Sequence, residues 1–151
     1  MNSSFHSSPP YYGRGKSCID KKLEYAKRWF DKSKSDLLDA DNNLAADKVP
    51  YDTVCFHCQQ AAEKLLKGFL VAHGCEYPIT HNLFVILDKV IEYDGLAESL
   101  REALALLNPY AVEVRYPGDE LTLTMDNAAE ARQAAQEVLE WTKSRFAQLF
   151  E

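Results

Sequence analysis

Nothing in this 151-residue sequence approaches the roughly 18 consecutive apolar residues that a membrane-spanning helix requires, which excludes such a helix. The opening segment, MNSSFHSSPPYYGRGKS, lacks the apolar stretch of a secretory signal, so the expected location is the cytoplasm. An excess of positive charge is missing as well. With 17 Lys+Arg against 23 Asp+Glu the formal net charge is -6, which argues against a generally basic nucleic-acid-binding surface. No internal repeat is present.

The cysteines are few, four in all. Cys55 and Cys58 form a C-x-x-C, and His57, His73 and Cys75 extend the set toward a zinc pattern. If residues 52–73 form one helix, however, its ends lie roughly 25 Å apart at ~1.5 Å per residue. One ion cannot span that distance. Without a secretory signal, disulfides are disfavoured too. Cys55 and Cys58 are therefore expected as small apolar core residues, with no metal site and no cofactor.

What is present suits one globular domain with a real core: 46% of residues are apolar and 26% charged. The charge is uneven. Residues 1–34 carry eight Lys/Arg against three Asp/Glu, leaving nine against twenty in the remainder. A basic first segment can touch phosphates, although a solvated tail and helix face explain it as well.

Residues 1–19 are rich in Ser, Pro, Gly and Tyr with no apolar period, and read as a flexible leader. A helical bundle is expected over 20–150. Leu23, Ala26, Phe30, Ser33, Leu37, Ala40 and Leu44 recur at spacings of three and four, one stripe of a long helix. In the second helix Val54, Cys55, Cys58, Ala61, Ala62, Leu65, Leu66, Phe69 and Leu70 make a broad apolar face. Gln59, Gln60, Glu63, Lys64 and Lys67 fill the rest, with Glu63 and Lys67 at i,i+4. Gln60, Glu63 and Lys64 are expected on an exposed stripe. Gly74 is a C-terminal stop and Thr80 a cap for the third helix, which carries Leu83, Phe84, Ile86, Leu87, Val90 and Ile91.

A fourth segment places Leu96, Leu100, Ala103, Leu104 and Leu107 inward and is kinked or restarted at Pro109. LTLT at 121–124 alternates like a strand but has no evident partner. Asp126 or Asn127 is expected to cap a last helix with Ala131, Ala135, Val138, Leu139, Thr142, Phe146 and Leu149 inward. The fold class is all-α, an up-and-down antiparallel bundle of about five helices. Ala61, Ala62, Ala131, Ala134 and Ala135 permit close helix approach, in the monomer core or at a dimer surface. His57 is expected at a surface or interface, and His73 to favour the helix C-terminus when protonated.

The run Tyr51–Leu87, with Phe56-x-x-Gln59-Gln60-Ala61-Ala62-Glu63-Lys64, Leu66-Lys67 and Thr80-His81-x-Leu83, resembles the HEPN domain family (higher eukaryotes and prokaryotes nucleotide-binding). Arg115-Tyr116-Pro117 also looks like that family. The resemblance spans roughly residues 20–148 and implies a five-helix bundle, usually a homodimer, often encoded beside a small nucleotidyltransferase. Members of that family include RNA-cleaving toxins and proteins thought to bind nucleotides.

The cleaving members carry an Arg followed four to six residues later by His. None of Arg14, Arg28, Arg101, Arg115, Arg132 and Arg145 has a His at that spacing. Cleavage of RNA without a metal needs a group to take the 2′-hydroxyl proton and one to protonate the leaving oxygen, work suited to histidine. Arg115 supplies a phosphate-binding guanidinium and Tyr116 an aromatic face for a base. With Lys64, Glu63 and Gln60 these are the candidate nucleotide-contacting residues, and His81 is the leading candidate acid–base group.

The expected function is a nucleotide- or RNA-associated partner module, the companion of a small nucleotidyltransferase in a toxin–antitoxin-type pair, and not an enzyme by itself. A metal-independent ribonuclease with a displaced His81 or His57 is one alternative. A purely structural dimerising module is another.

Overall fold

The computed structural model describes residues 17–112 and 122–151. Its helices are α1 (Cys18–Leu44), α2 (Tyr51–Ala72), α3 (Leu83–Tyr93), α4 (Arg101–Leu107) and α5 (Met125–Arg145). Short 3-10 turns occupy Gly95–Leu100, Asn108–Tyr110 and Ala147–Phe150. Among the described residues there is no strand, and the bundle expected from periodicity is the fold observed.

α1 begins at Cys18, just ahead of the pattern change at Asp20, because Ser17 and Asp20 form a reciprocal cap. The Ser17 hydroxyl accepts from the Asp20 N–H, and the Asp20 carboxylate accepts from the Ser17 N–H. Ala26, Phe30, Leu37 and Ala40 of its apolar stripe are buried. A short connection reverses the chain into α2, the central helix, which packs against α1, α3, α4 and α5. Being central, α2 buries residues on nearly every side. Ala61, Ala62, Ala131, Ala134 and Ala135 are all buried where α2 and α5 pack, so these small-residue faces complete the monomer core.

One glycine sets the α1–α2 approach. A Cβ on Gly68 would lie 2.6 Å from Phe30 Cε1 and 3.0 Å from Trp29 Cβ, so only hydrogen fits there. Gly74 ends α2 with a left-handed φ of 73°, and the Cys75 N–H bonds back to the Leu70 carbonyl at 2.9 Å. His73, the residue before it, packs its ring on Phe69, Tyr93 and Phe146. This desolvation holds its pKa below the ordinary histidine value, with Asp94 opposing. The protonated, helix-terminal role expected of His73 is therefore disfavoured; the ring serves as a packing element.

Local chemistry corrects the sequence reading at three caps and turns. Asn82, not Thr80, caps α3: its side chain accepts from the Phe84 N–H at 3.0 Å, while the Thr80 hydroxyl accepts from the Asn82 N–H. Thr124, rather than Asp126 or Asn127, caps α5, and the Asn127 side chain answers it by accepting from the Thr124 N–H. Thus the end of the LTLT stretch starts a helix. Leu96 is 72% exposed instead of inward. The Gly95–Leu100 segment winds with three residues per turn, so Ala97 and Leu100, three apart, take the buried face. Pro109 lies in a fresh 3-10 turn, as expected of a residue without an amide donor.

Candidate functional site

The expected exposed stripe on α2 is not exposed. Glu63 is only 5% accessible and Lys67 6%, while Gln60 and Lys64 are half-buried. The reason is tertiary: α1 covers one flank, and the α2–α3 connection returns across the other, laying Tyr77 and His81 against the helix.

Glu63 stands at the centre of the resulting network. Its carboxylate accepts from His81 Nδ1 at 3.0 Å and from Lys67 Nζ at 3.0 Å. Gln59, fully buried, donates from Nε2 to the His81 carbonyl at 3.1 Å, and its own Oε1 accepts from Gln60 at 2.8 Å. Lys67 Nζ also lies 5.2 Å from the centre of the Tyr77 ring. Because an ionised carboxylate only accepts, a hydrogen sits on His81 Nδ1, the tautomer that in a neutral imidazole leaves the lone pair on Nε2. The His81 side chain is 69% exposed while Glu63 beneath it is 6% exposed, a solvent-facing imidazole held by a buried anion.

A second cluster joins α1 to α2. Asp36, itself buried, receives Lys64 Nζ on Oδ2 and His57 Nδ1 on Oδ1 at 3.0 Å. His57 is therefore not simply a surface side chain.

Lys64 also lines a groove. A cavity of about 400 Å³ is bounded by Tyr25, Arg28, Trp29, Lys32 and Lys64. An adjoining one of about 500 Å³ shares Tyr25 and adds Lys22, Val71, Tyr77 and Ile79 among its walls. Tyr77 meets Trp29 edge-on at 5.1 Å where the two adjoin. Four cations and three aromatic rings thus border the two neighbouring cavities, with Glu76 the one carboxylate among their walls. Among the described residues, Lys22, Arg28 and Lys32 have no ion-pair partner, whereas neighbouring Lys27 is paired with Asp31. The groove offers guanidinium and ammonium donors for phosphate and ring faces for a base.

Of the residues singled out in the sequence, the fold brings Glu63 together with His81, and Lys64 into the groove; Gln60 braces the network through Gln59. Arg115 and Tyr116 lie outside the described residues. Sequence reasoning missed Gln59 and Lys67 as site components, and Lys22, Tyr25, Arg28, Trp29 and Lys32 as a binding surface. A signal for the latter existed: Lys22, Tyr25, Trp29 and Lys32 recur at spacings of three and four within the basic first segment. Cys55 and Cys58 are buried free thiols. Burial pushes Cys55 up to about 11 and Cys58 up to about 12, which fits inert core residues rather than nucleophiles or thiolate ligands.

Among the described residues no helix is long and apolar enough to cross a membrane. The family described as HEPN domain matches residues 26–145. The structure is similar to the crystal structure of TT1696 from Thermus thermophilus, with a TM-score of 0.69 and 30% sequence identity, covering 79% of this chain and 96% of that one. No curated protein matches the sequence.

Proposed function

The chain belongs to the HEPN domain family, and from that premise we propose that it is a cytoplasmic nucleotide- or RNA-binding partner module. It acts as a homodimer and as the companion of a small nucleotidyltransferase in a toxin–antitoxin-type pair. The observation that supports this reading best is the groove on α1 and α2. Phosphate binding needs cations that are not already neutralised, and base binding needs exposed ring faces. Lys22, Arg28 and Lys32 meet the first condition; exposed Tyr25, with half-buried Trp29 beside it, meets the second. Lys64 adds a charge anchored by Asp36. Arg115 and Tyr116 retain their proposed role as additional phosphate and base contacts.

The test is thermal unfolding with nucleoside mono- and triphosphates and a short oligoribonucleotide at millimolar concentration. A ligand at about 100 times its Kd stabilises by about 2.7 kcal/mol, a readily measured shift. At least one of these ligands is expected to raise the midpoint, less so at high salt. The doubly reversed Arg28→Glu, Lys32→Glu variant, altered at exposed positions, is expected to bind at least tenfold more weakly. No shift with any ligand, or an equal shift in the variant, would sink the reading.

A second reading, a ribonuclease with a non-standard site, is favoured by one observation: the His81–Glu63 pair. A carboxylate that fixes the Nδ1 hydrogen leaves Nε2 able to take a 2′-hydroxyl proton. On this reading purified protein cleaves RNA without added metal, and His81→Ala reduces the rate at least a hundredfold while the fold survives. Unchanged cleavage in His81→Ala would remove this site.

A further inference from the structure

Asp36, Asp39 and His57 converge at the end of the groove, beyond Lys32 along α1, and from their geometry we infer that they form a binding site for a single divalent transition-metal ion of the Mn²⁺ or Zn²⁺ class. One ligand atom from each of the three lies within 4.8 Å of the others. His57 Nδ1 is 3.0 Å from Asp36 Oδ1 and 3.9 Å from Asp39 Oδ2. Ligand atoms bound to one ion at about 2.1 Å are separated by roughly 3.0–3.5 Å. Two of the three are therefore already at the required spacing. Asp39, 56% exposed at its side chain, has the freedom to close the remainder.

The placement follows from helix geometry. Asp36 and Asp39 are three apart on α1, so they project from neighbouring turns of one face. His57, one and a half turns into α2, meets them from the opposite helix. Two independently rigid elements thus hold a nitrogen and two carboxylates toward a common point.

The hydrogen-bond accounting leaves room for an ion. A single Nδ1 hydrogen can be given to one acceptor, and Asp36 takes it. Asp39 Oδ2, at 3.9 Å, is beyond hydrogen-bonding range of that nitrogen and faces it only across a loose ion-pair distance, with no hydrogen bond to it. Asp36 divides its two oxygens: Oδ2 is taken by Lys64, which neutralises one charge and fixes the carboxylate, and Oδ1 faces His57. An ion would replace the proton on Nδ1, with the neutral ring carrying its hydrogen on Nε2 instead. No redox step is involved. Two oxygens with one imidazole suit Mn²⁺ and Zn²⁺ better than Mg²⁺ or Ca²⁺, which prefer all-oxygen sets.

Three protein ligands leave coordination positions open, and a phosphate oxygen beside Lys64 has the chemistry to fill one. That last step rests on the groove reading; the ion site itself does not.

The experiment uses the full chain without nucleotide. Mn²⁺ is titrated in and the free ion followed by its electron paramagnetic resonance signal; Mn²⁺ is chosen because it avoids the thiols of Cys18 and Cys75. One ion per chain is expected, displaced by Zn²⁺ as the general affinity order requires. Asp39→Asn and His57→Gln should each weaken binding at least tenfold. Asp31→Asn, an exposed carboxylate paired with Lys27 outside the cluster, should leave it unchanged. Circular dichroism verifies folding, and if His57→Gln unfolds, the exposed Asp39→Asn decides. No binding up to millimolar Mn²⁺, full binding in Asp39→Asn, or equal loss in Asp31→Asn overturns the proposal. Failure here leaves the nucleotide measurements untouched, and failure of nucleotide binding leaves this one so.

Discussion

Glu63→Ala is expected to destabilise the protein by about 3–5 kcal/mol, because it leaves a buried lysine without its counter-ion. The side chains of Lys67 and Glu63 are 8% and 6% exposed. The ion pair lies within one helix, which in solvent contributes only about 0.2–0.5 kcal/mol. Here the same pair has been taken out of water, and the cost of breaking it is the desolvation of whichever charge remains. His81 also loses the acceptor for Nδ1, and of its two hydrogen bonds to α2 keeps the one its carbonyl accepts from Gln59. Urea unfolding of Glu63→Ala and of a Glu63→Leu, Lys67→Met double variant separates the two contributions. The single variant should lose stability steeply and the double should recover most of it, since replacing both members of a buried pair by apolar groups is often neutral or favourable. A single variant within about 1 kcal/mol of the wild type would show that Lys67 reaches water, and that the network is not sealed.

The core makes a comparable demand at the α1–α2 crossing. Phe30→Ala is expected to cost about 3–5 kcal/mol, the usual penalty for deleting a buried aromatic ring. Phe30 is fully buried, stacks on Phe150 at 4.6 Å and approaches Phe146 at 5.9 Å. It is also the side chain that a Cβ on Gly68 would strike. Gly68→Ala alone should destabilise by about 1–3 kcal/mol through overpacking. The two effects should not add: the space vacated by Phe30 accepts the Gly68 methyl, so the double variant should be at least about 0.5 kcal/mol more stable than the sum predicts. Denaturant midpoints of the four proteins complete the cycle. Strict additivity would mean that helix α2 shifts to relieve the clash, and that the close approach is not fixed by Phe30.

Both predictions bear on the groove, since Glu63 anchors the connection carrying Tyr77 and Gly68 sets the seat of Trp29. The floor of the candidate site is thus made of the bundle's own packing. The ligand binding proposed at its rim would rest on Lys22, Arg28 and Lys32, exposed residues whose loss should leave the midpoint of the free protein nearly unchanged.

The sequence alone determined the helices, because spacings of three and four in residues such as Ala26, Phe30 and Leu37 survive any tertiary arrangement that buries one stripe. It also located the family run and the stop at Gly74, both local in the chain. Only the tertiary structure decided which polar residues are wet. Glu63 and Lys67 have the spacing of a solvated surface pair, and nothing within α2 reveals that α1 and a returning connection enclose them. His57 and Asp36 are 21 residues apart, and Gln59 meets a carbonyl 22 residues away. Contacts of that kind depend on how rigid elements dock, and periodicity along one helix carries no information about what is placed across from it.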